Sequence, residues 1–423
     1  METDIPEYHA VGIGAGPANL SVAALFDKVG PGRELALFES QSAPGWHDTM
    51  LHAGVRMQTG WLKDLVSLLD PTHPLSFLNY LVTTGRVFGL IGAGYDTIPR
   101  IEFTQYLEWA AQQLPRISYG VRIDQVSFED GRFVSHSEGR AVARSEHLLV
   151  ATGTRPRMPD WFAELPAGRA MVADGLSQRL ADLPADLDVP ILVVGSGQTS
   201  AECVNVLLGR GHTDIRWVGR RSWFAPLEDS PSANDLYRPA YQEYFLGLPR
   251  QARRDLVAAQ ILTSDGISPG TLSGLYQSNY EARLRTGRFP VTILPARDVV
   301  EARMVGDEIE LGCDTPGGRD VQRGAFVVLA AGRTTAPLPF DAELAREVDM
   351  SDAGEPIIEG DYSLRWKGAD RNKIFLLNRG RYVQGLVDSN LSILPIRSAM
   401  IINSMAQRSV YTFRDDYVST RWS

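Results

Sequence analysis

Two stretches constrain this chain more than any other feature. They are YHAVGIGAGPANLSVAALF, residues 8–26, and DVPILVVGSGQTSAECVNVLL, residues 188–208. In each, a short apolar strand enters a Gly-x-Gly turn and leaves it in a helical pattern, the context a dinucleotide-binding turn requires. The first turn reads Gly14-Ala15-Gly16-Pro17-Ala18-Asn19. Gly14 permits the tight bend, and Gly16 lets the backbone approach a pyrophosphate at the helix N-terminus. Asn19 replaces the usual third glycine, so the helix is expected to sit slightly farther from the strand. A second strand, ELALFES, ends in Glu39 and Ser40. Glu39 lies 23 residues after Gly16, near the spacing of an acid that bonds ribose hydroxyls.

The second turn reads Gly195-Ser196-Gly197-Gln198-Thr199-Ser200, entered by the strand Ile191–Val194. The strand after it, DIRWVGRR, carries no acid at its tip. Arg220 and Arg221 stand there instead, and two guanidiniums suit a 2′-phosphate, which favours NADPH over NADH. Two such units describe an α/β flavoprotein with two Rossmann-like domains, FAD in the first and NADPH in the second. The apolar strands HLLVATGTRPRMP and FVVLAAGRTTAPLP, which end at Gly153 and Gly332, mark crossings between domains. The expected organisation is an FAD-binding domain over 1–158 and 336–423, interrupted by an NADPH-binding domain over 159–225 and 286–335. A mostly helical region over 226–285 would contact substrate and nicotinamide.

Composition narrows the class further. A net charge of −9 argues against a nucleic-acid partner. No apolar run approaches the roughly 20 residues that span a bilayer. The start, METDIPEYHA, has no basic segment followed by an apolar block, so a cytoplasmic protein is expected. The two cysteines, Cys203 and Cys313, form neither a CxxC pair nor a zinc pattern, and no metal is expected. Without a redox cysteine pair the chain is not a disulfide reductase. The FxGxxxHxxx(W/Y) signature of Baeyer–Villiger and general flavin monooxygenases is absent between Gly153 and Gly195. A hydroxylase of another group remains, or a reductase of small acceptors.

One further stretch, RMQTGWLKDLVSLLDP, residues 56–71, puts a lysine in an apolar run. Trp61, Leu62, Leu65, Val66 and Leu69 recur at helical spacing and predict one buried stripe, with Lys63 at its edge. Such a lysine is either a snorkelling surface residue or a cation at the mouth of a pocket.

In order along the chain occur GIGAGPANLSVAALF, GWHDTML, MQTGWLKDLVSLLDPTHPLSFLNYLV, RIEFTQYLEWAA, VVGSGQTSAE and LTSDGISPGTLSGLY. This series is similar to the N-hydroxylating flavin monooxygenases, the microbial lysine, ornithine and diamine N-hydroxylases of hydroxamate siderophore synthesis. The resemblance covers nearly the whole chain. It implies that NADPH reduces FAD, that the reduced flavin takes up O2 as a C4a-hydroperoxide, and that a neutral terminal amine attacks the distal oxygen. The flavin carries the chemistry, so no catalytic acid–base pair is expected.

Carried over residue by residue, the resemblance assigns Gly14, Gly16, Pro17, Asn19, Glu39 and Ser40 to the FAD turn and ribose acid. Trp46 and His47 lie along FAD, and Gln58 lies beside the isoalloxazine as a cofactor and catalytic residue. Gly153 belongs to the first crossing. Gly195, Gly197, Gln198, Thr199, Ser200, Arg220 and Arg221 hold NADPH. Lys63 pairs with a substrate α-carboxylate, and Asn234 contacts substrate or nicotinamide as a substrate-binding and catalytic candidate. Asp388, Asn390, Leu391 and Ser392 form a C-terminal turn against flavin and substrate amine. Thr263 and Ser264 stand where ornithine hydroxylases carry Asn-Tyr-Ser, which speaks for the lysine and diamine branch; Thr263 is a substrate-binding candidate. Gln384 replaces a histidine, and Ala330-Ala331-Gly332-Arg333 departs from the usual crossing turn. The resemblance also implies a homo-oligomer. The expected reaction is N-hydroxylation of L-lysine, cadaverine or putrescine; the alternatives are an ornithine hydroxylase or an uncoupled NADPH oxidase or flavin reductase.

Overall fold

The computed structural model describes residues 5–352 and 354–422. Its first sheet has seven strands, taken from both ends of the chain. In spatial order they are Ile117–Tyr119, Leu35–Glu39, Glu7–Ile13, Arg140–Val150, Arg132–Ser137 and Gln125–Glu129, with Ile374–Leu376 also pairing Arg140–Val150. The pairs around Glu7–Ile13 are parallel, whereas the last three strands of the row form an antiparallel meander. Ala10, Val11 and Ile13 are all buried, as expected of a parallel strand covered on both faces. One cover is the helix Pro17–Leu25, packed against the helices Arg100–Gln113 and Leu394–Ala406. Phe77, Tyr80, Phe103, Tyr106, Ile401 and Ile402 fill the core beneath them.

The second sheet is parallel throughout. Its order is Val291–Leu294, Ile215–Val218, Ile191–Val194, Phe326–Leu329 and Ala170–Val172. All five strands fall between Arg140–Val150 and Ile374–Leu376 in sequence, so this unit interrupts the first. The two crossings, Thr154–Pro156 and Arg333–Thr335, pair with each other as a short antiparallel ribbon. A three-stranded meander, Asp298–Thr315 with Gly318–Gly324, and a run of helices between Pro231 and Thr286 complete the chain. No helix among the described residues is long and apolar enough to cross a membrane. Cys203 and Cys313 are both free and fully buried; burial pushes both thiols up, Cys313 to about 11.

The helix expected over Trp61–Leu69 does not form; the segment is a series of turns and bends. Leu65 and Val66 are buried, but Leu62 is 57% exposed. The physical reason is Asp64, itself buried. Its Oδ1 accepts from the amides of Val66 at 2.9 Å and Ser67 at 2.6 Å. Its Oδ2 accepts from the Phe77 amide at 2.7 Å. A side chain that collects backbone N–H groups in this way offers the chain an alternative to the helical ladder. The helical periodicity was local; the carboxylate's long-range partner lies 13 residues away.

Candidate active site

The two glycine turns are built alike. A Cβ on Gly14, whose φ is +93°, would stand 2.5 Å from the carbonyl oxygen of Ala151. A Cβ on Gly195 would stand 2.3 Å from that of Ala330. Each turn is thus pressed against the strand end that begins a crossing, which is why neither position tolerates a side chain. Gly16 and Gly197 differ: a Cβ there meets nothing within 4 Å, so the backbone is open on the side where a pyrophosphate would approach.

Glu39 closes the first turn. Its Oε2 accepts from the Ala15 amide at 2.8 Å, and its Oε1 from the Ser40 hydroxyl at 3.0 Å. Asn19 ties the start of the helix to the turn. Its amide nitrogen donates to the Gly14 carbonyl at 2.7 Å, and it is fully buried. A Cβ at Gly12 would meet that amide at 2.9 Å, so Gly12 makes room for Asn19. Asn19 therefore shapes the turn from inside. Trp46 and His47 sit beside this turn, with rings 4.4 Å apart edge to face. Gly16, Pro17 and Trp46 border one small cleft.

At the second turn the Ser200 hydroxyl donates back to the Gly197 carbonyl at 2.7 Å, closing the first helical turn. Thr199 is half-buried on the same turn. Arg221 lies against it: its amide donates to the Ser196 hydroxyl at 3.4 Å, and its guanidinium to the Asp265 carbonyl at 3.0 Å. Arg220 is exposed at the strand tip. Gly153, with φ +66°, turns the first crossing.

Gln58 reaches across the chain. Its amide donates to the Ser268 hydroxyl at 3.1 Å, and the Ser268 backbone N–H donates to the Gln198 side chain at 2.8 Å. Gln198 is thereby engaged on both sides, since its amide nitrogen donates to Glu202 at 2.9 Å. Lys63, half-buried, donates from Nζ to the buried Ser392 hydroxyl at 3.0 Å. Among the described residues no carboxylate pairs with Lys63, and burial lowers its pKa below the usual lysine value. Asn390 caps the Leu391–Ile393 turn by accepting from the Ser392 amide at 2.8 Å. That cap holds Ser392 in place for Lys63.

Four of the residues singled out in sequence make hydrogen bonds within the chain. Asp388 is buried under Gly380, whose amide donates to it at 2.8 Å, and beside Arg397, which donates to its carbonyl. Asn234 is exposed and ends the short helix Pro231–Asn234; its amide folds back to donate to the carbonyls of Asp229 and Ser230 at 3.3 Å. The Thr263 hydroxyl donates to the Gln260 carbonyl at 2.9 Å, and its own carbonyl accepts from Tyr237 at 2.7 Å. Gln384 is fully buried; it accepts from Gln242 at 2.6 Å and donates to the carbonyls of Glu359 and Gly360. The amide there is thus a satisfied core network. A cavity of about 1320 Å³ runs along the helices Gln198–Gly209 and Pro269–Thr286; of the residues singled out in sequence, Gln58 lines it.

Asp64, Arg100, Glu202 and Ser268 organise the site and were not singled out in sequence. For Asp64, Arg100 and Glu202 the signal was a charge inside an apolar or glycine-rich block; Ser268 gave none. Arg100 opens RIEFTQYLEWAA, and Glu202 ends VVGSGQTSAE.

Comparison with known proteins places this geometry. Residues 7–334 match the family model described as L-lysine 6-monooxygenase/L-ornithine 5-monooxygenase. The chain is 31% identical over 411 residues to the L-lysine N6-monooxygenase of Escherichia coli, covering 95% of each chain. It is 27% identical to the putrescine N-hydroxylase of Shewanella oneidensis, covering 97% of this chain and 83% of the relative. In fold it matches the FAD-bound cadaverine monooxygenase of Erwinia amylovora with a TM-score of 0.90 at 24% identity, over 99% of this chain and 98% of the other. The chain belongs to the L-lysine 6-monooxygenase/L-ornithine 5-monooxygenase family of flavin-dependent N-hydroxylating oxidoreductases.

Proposed function

We propose that this chain is an FAD- and NADPH-dependent N-hydroxylase of a terminal primary amine, L-lysine before an aliphatic diamine, serving hydroxamate siderophore synthesis. Open backbone at Gly16 and at Gly197, with an acid at the first strand tip and arginines at the second, fits two different dinucleotides. FAD held at the first turn and reduced by NADPH held at the second would supply the electrons that activate O2, the source of the transferred oxygen.

The chain's own residues bind and orient. The observation that carries the substrate reading is Lys63: a half-buried ammonium held by a neutral hydroxyl, Ser392. A carboxylate is the partner that such a cation lacks, and a charge-assisted contact there would hold the α-end of an amino acid. With that end held, the far amine is the one presented for reaction. The same cation repels the second ammonium of a diamine. A free alkylamine has a pKa near 10.4, so a desolvating site is needed to populate its neutral form.

A product assay over L-lysine, L-ornithine, cadaverine and putrescine tests this. Hydroxylamine formation should be greatest with lysine. NADPH consumption that yields only peroxide with all four amines would leave an uncoupled oxidase or reductase. Greatest turnover with ornithine would overturn the lysine and diamine assignment.

A further inference from the structure

Two sheets joined by one short ribbon need a second contact, away from the ribbon, to hold one orientation. Such a contact lies between the start of the helix Arg100–Gln113 in the first unit and the helix Gln198–Gly209 in the second. The Arg100 guanidinium donates to Glu202 Oε2 at 3.1 Å and to Oε1 at 2.8 Å, a two-pronged pair. Their side chains are only 13% and 3% exposed. Arg100 is fixed from its own side by donating to the Met50 carbonyl at 3.0 Å. Glu202 is fixed from its side by Gln198. Gln198 in turn accepts from the Ser268 amide, and the Ser268 hydroxyl accepts from Gln58. Ser177 of the second unit adds contacts with the Thr49 carbonyl at 3.1 Å and with His52 at 2.9 Å.

We propose that the Arg100–Glu202 pair is a positioning clamp that sets the second dinucleotide unit against the first. Glu202 sits on the helix that the Gly195–Ser200 turn begins, and Gln198 joins it to that turn. The pair therefore sets where the second turn stands relative to Gln58 and the first. Two buried charges with fork-to-fork geometry resist sliding in a way that apolar packing does not, because each alternative pose leaves a charge unpaired. Neither residue need touch a ligand. The role in catalysis rests on the reading above that the two turns hold FAD and NADPH; the orienting role does not.

The test uses Glu202→Gln in the full chain, with spin labels on Gln112→Cys in the first unit and Asp307→Cys in the second, both exposed positions. In nucleotide-free protein, the distance distribution between labels should broaden or shift. In the FAD-loaded enzyme, flavin reduction at saturating NADPH should slow about 10-fold or more, since small misplacements of reacting groups are costly. FAD content and NADPH affinity should stay within about twofold. Arg100→Lys, which keeps the charge and loses the fork, should give a smaller effect of the same kind. An unchanged distance distribution and reduction rate would overturn the proposal, as would failure of both variants to fold. A changed distance distribution in an enzyme that no NADPH reduces, wild type included, would keep the clamp and sink the cofactor reading instead.

Discussion

Lys63 and Ser392 are 329 positions apart in the chain and meet at 3.0 Å. The contact joins the segment after the first nucleotide-binding unit's second strand to the C-terminal turn that Asn390 caps. Charge-assisted bonds contribute about 1.5–3 kcal/mol, roughly 10- to 100-fold in affinity. For an amino-acid substrate, Lys63→Ala should raise KM by about that factor with a smaller change in kcat. For a diamine, KM should fall or hold, because the cation that repels its second ammonium is gone. Steady-state kinetics with lysine and cadaverine separate the two.

Gly14 and Gly16 should respond differently to the same substitution. Gly14→Ala places a methyl against the Ala151 carbonyl at a φ that side chains avoid, so the protein should lose stability with or without FAD. Gly16→Ala meets nothing in the chain, so the FAD-free melting temperature should hold while FAD affinity falls. Equal losses of apo-protein stability in the two variants would contradict this.

Arg221 lies against the second turn through Ser196, with Arg220 exposed beside it. Replacing both by alanine should raise KM for NADPH about 10- to 100-fold and leave KM for NADH nearly unchanged. A parallel loss for both nucleotides would remove the 2′-phosphate assignment.

Asp64 collects three backbone amides in the segment that presents Lys63. Asp64→Ala leaves them without their acceptor in a buried setting and should cost about 3 kcal/mol or more. Urea unfolding would measure it. KM for the amine should rise as well, because the Lys63 turn loses its brace.

His147 is buried beside His9, and burial holds its pKa down at about 4. Burial lowers His9 as well, against the opposing pull of Glu146. The unfolded chain takes up these protons near the ordinary value of 6.5, before the folded one does. The contribution to stability is therefore whole above pH 6.5, falls as pH drops towards 4, and levels off below that. Unfolding midpoints measured at pH 7.5 and about 4.5 should differ less in His147→Asn than in the wild type.

Much of this protein is determined by short-range rules and is readable in the chain itself. The strand Ile191–Val194 and the turns Gly14–Asn19 and Gly195–Ser200 are of this kind, since apolar runs and glycines act on their immediate neighbours. The acid and the arginines at the two strand tips follow from fixed spacing along such units. The segment around Lys63 is different. Its apolar spacing predicts a helix, yet Asp64 bonds an amide 13 residues on and the helix is lost. Asn19, Asp388 and Asn234 likewise carry residue types suited to ligands, and each also bonds nearby backbone through one side-chain atom, a role their spacing does not reveal. Lys63 with Ser392 and Arg100 with Glu202 arise only when distant segments pack, because neither member has a local partner that would reveal the other. Sequence thus determined where two dinucleotides could be cradled; tertiary packing alone decided which cation is left facing a neutral hydroxyl, and which buried pair holds the two cradles together.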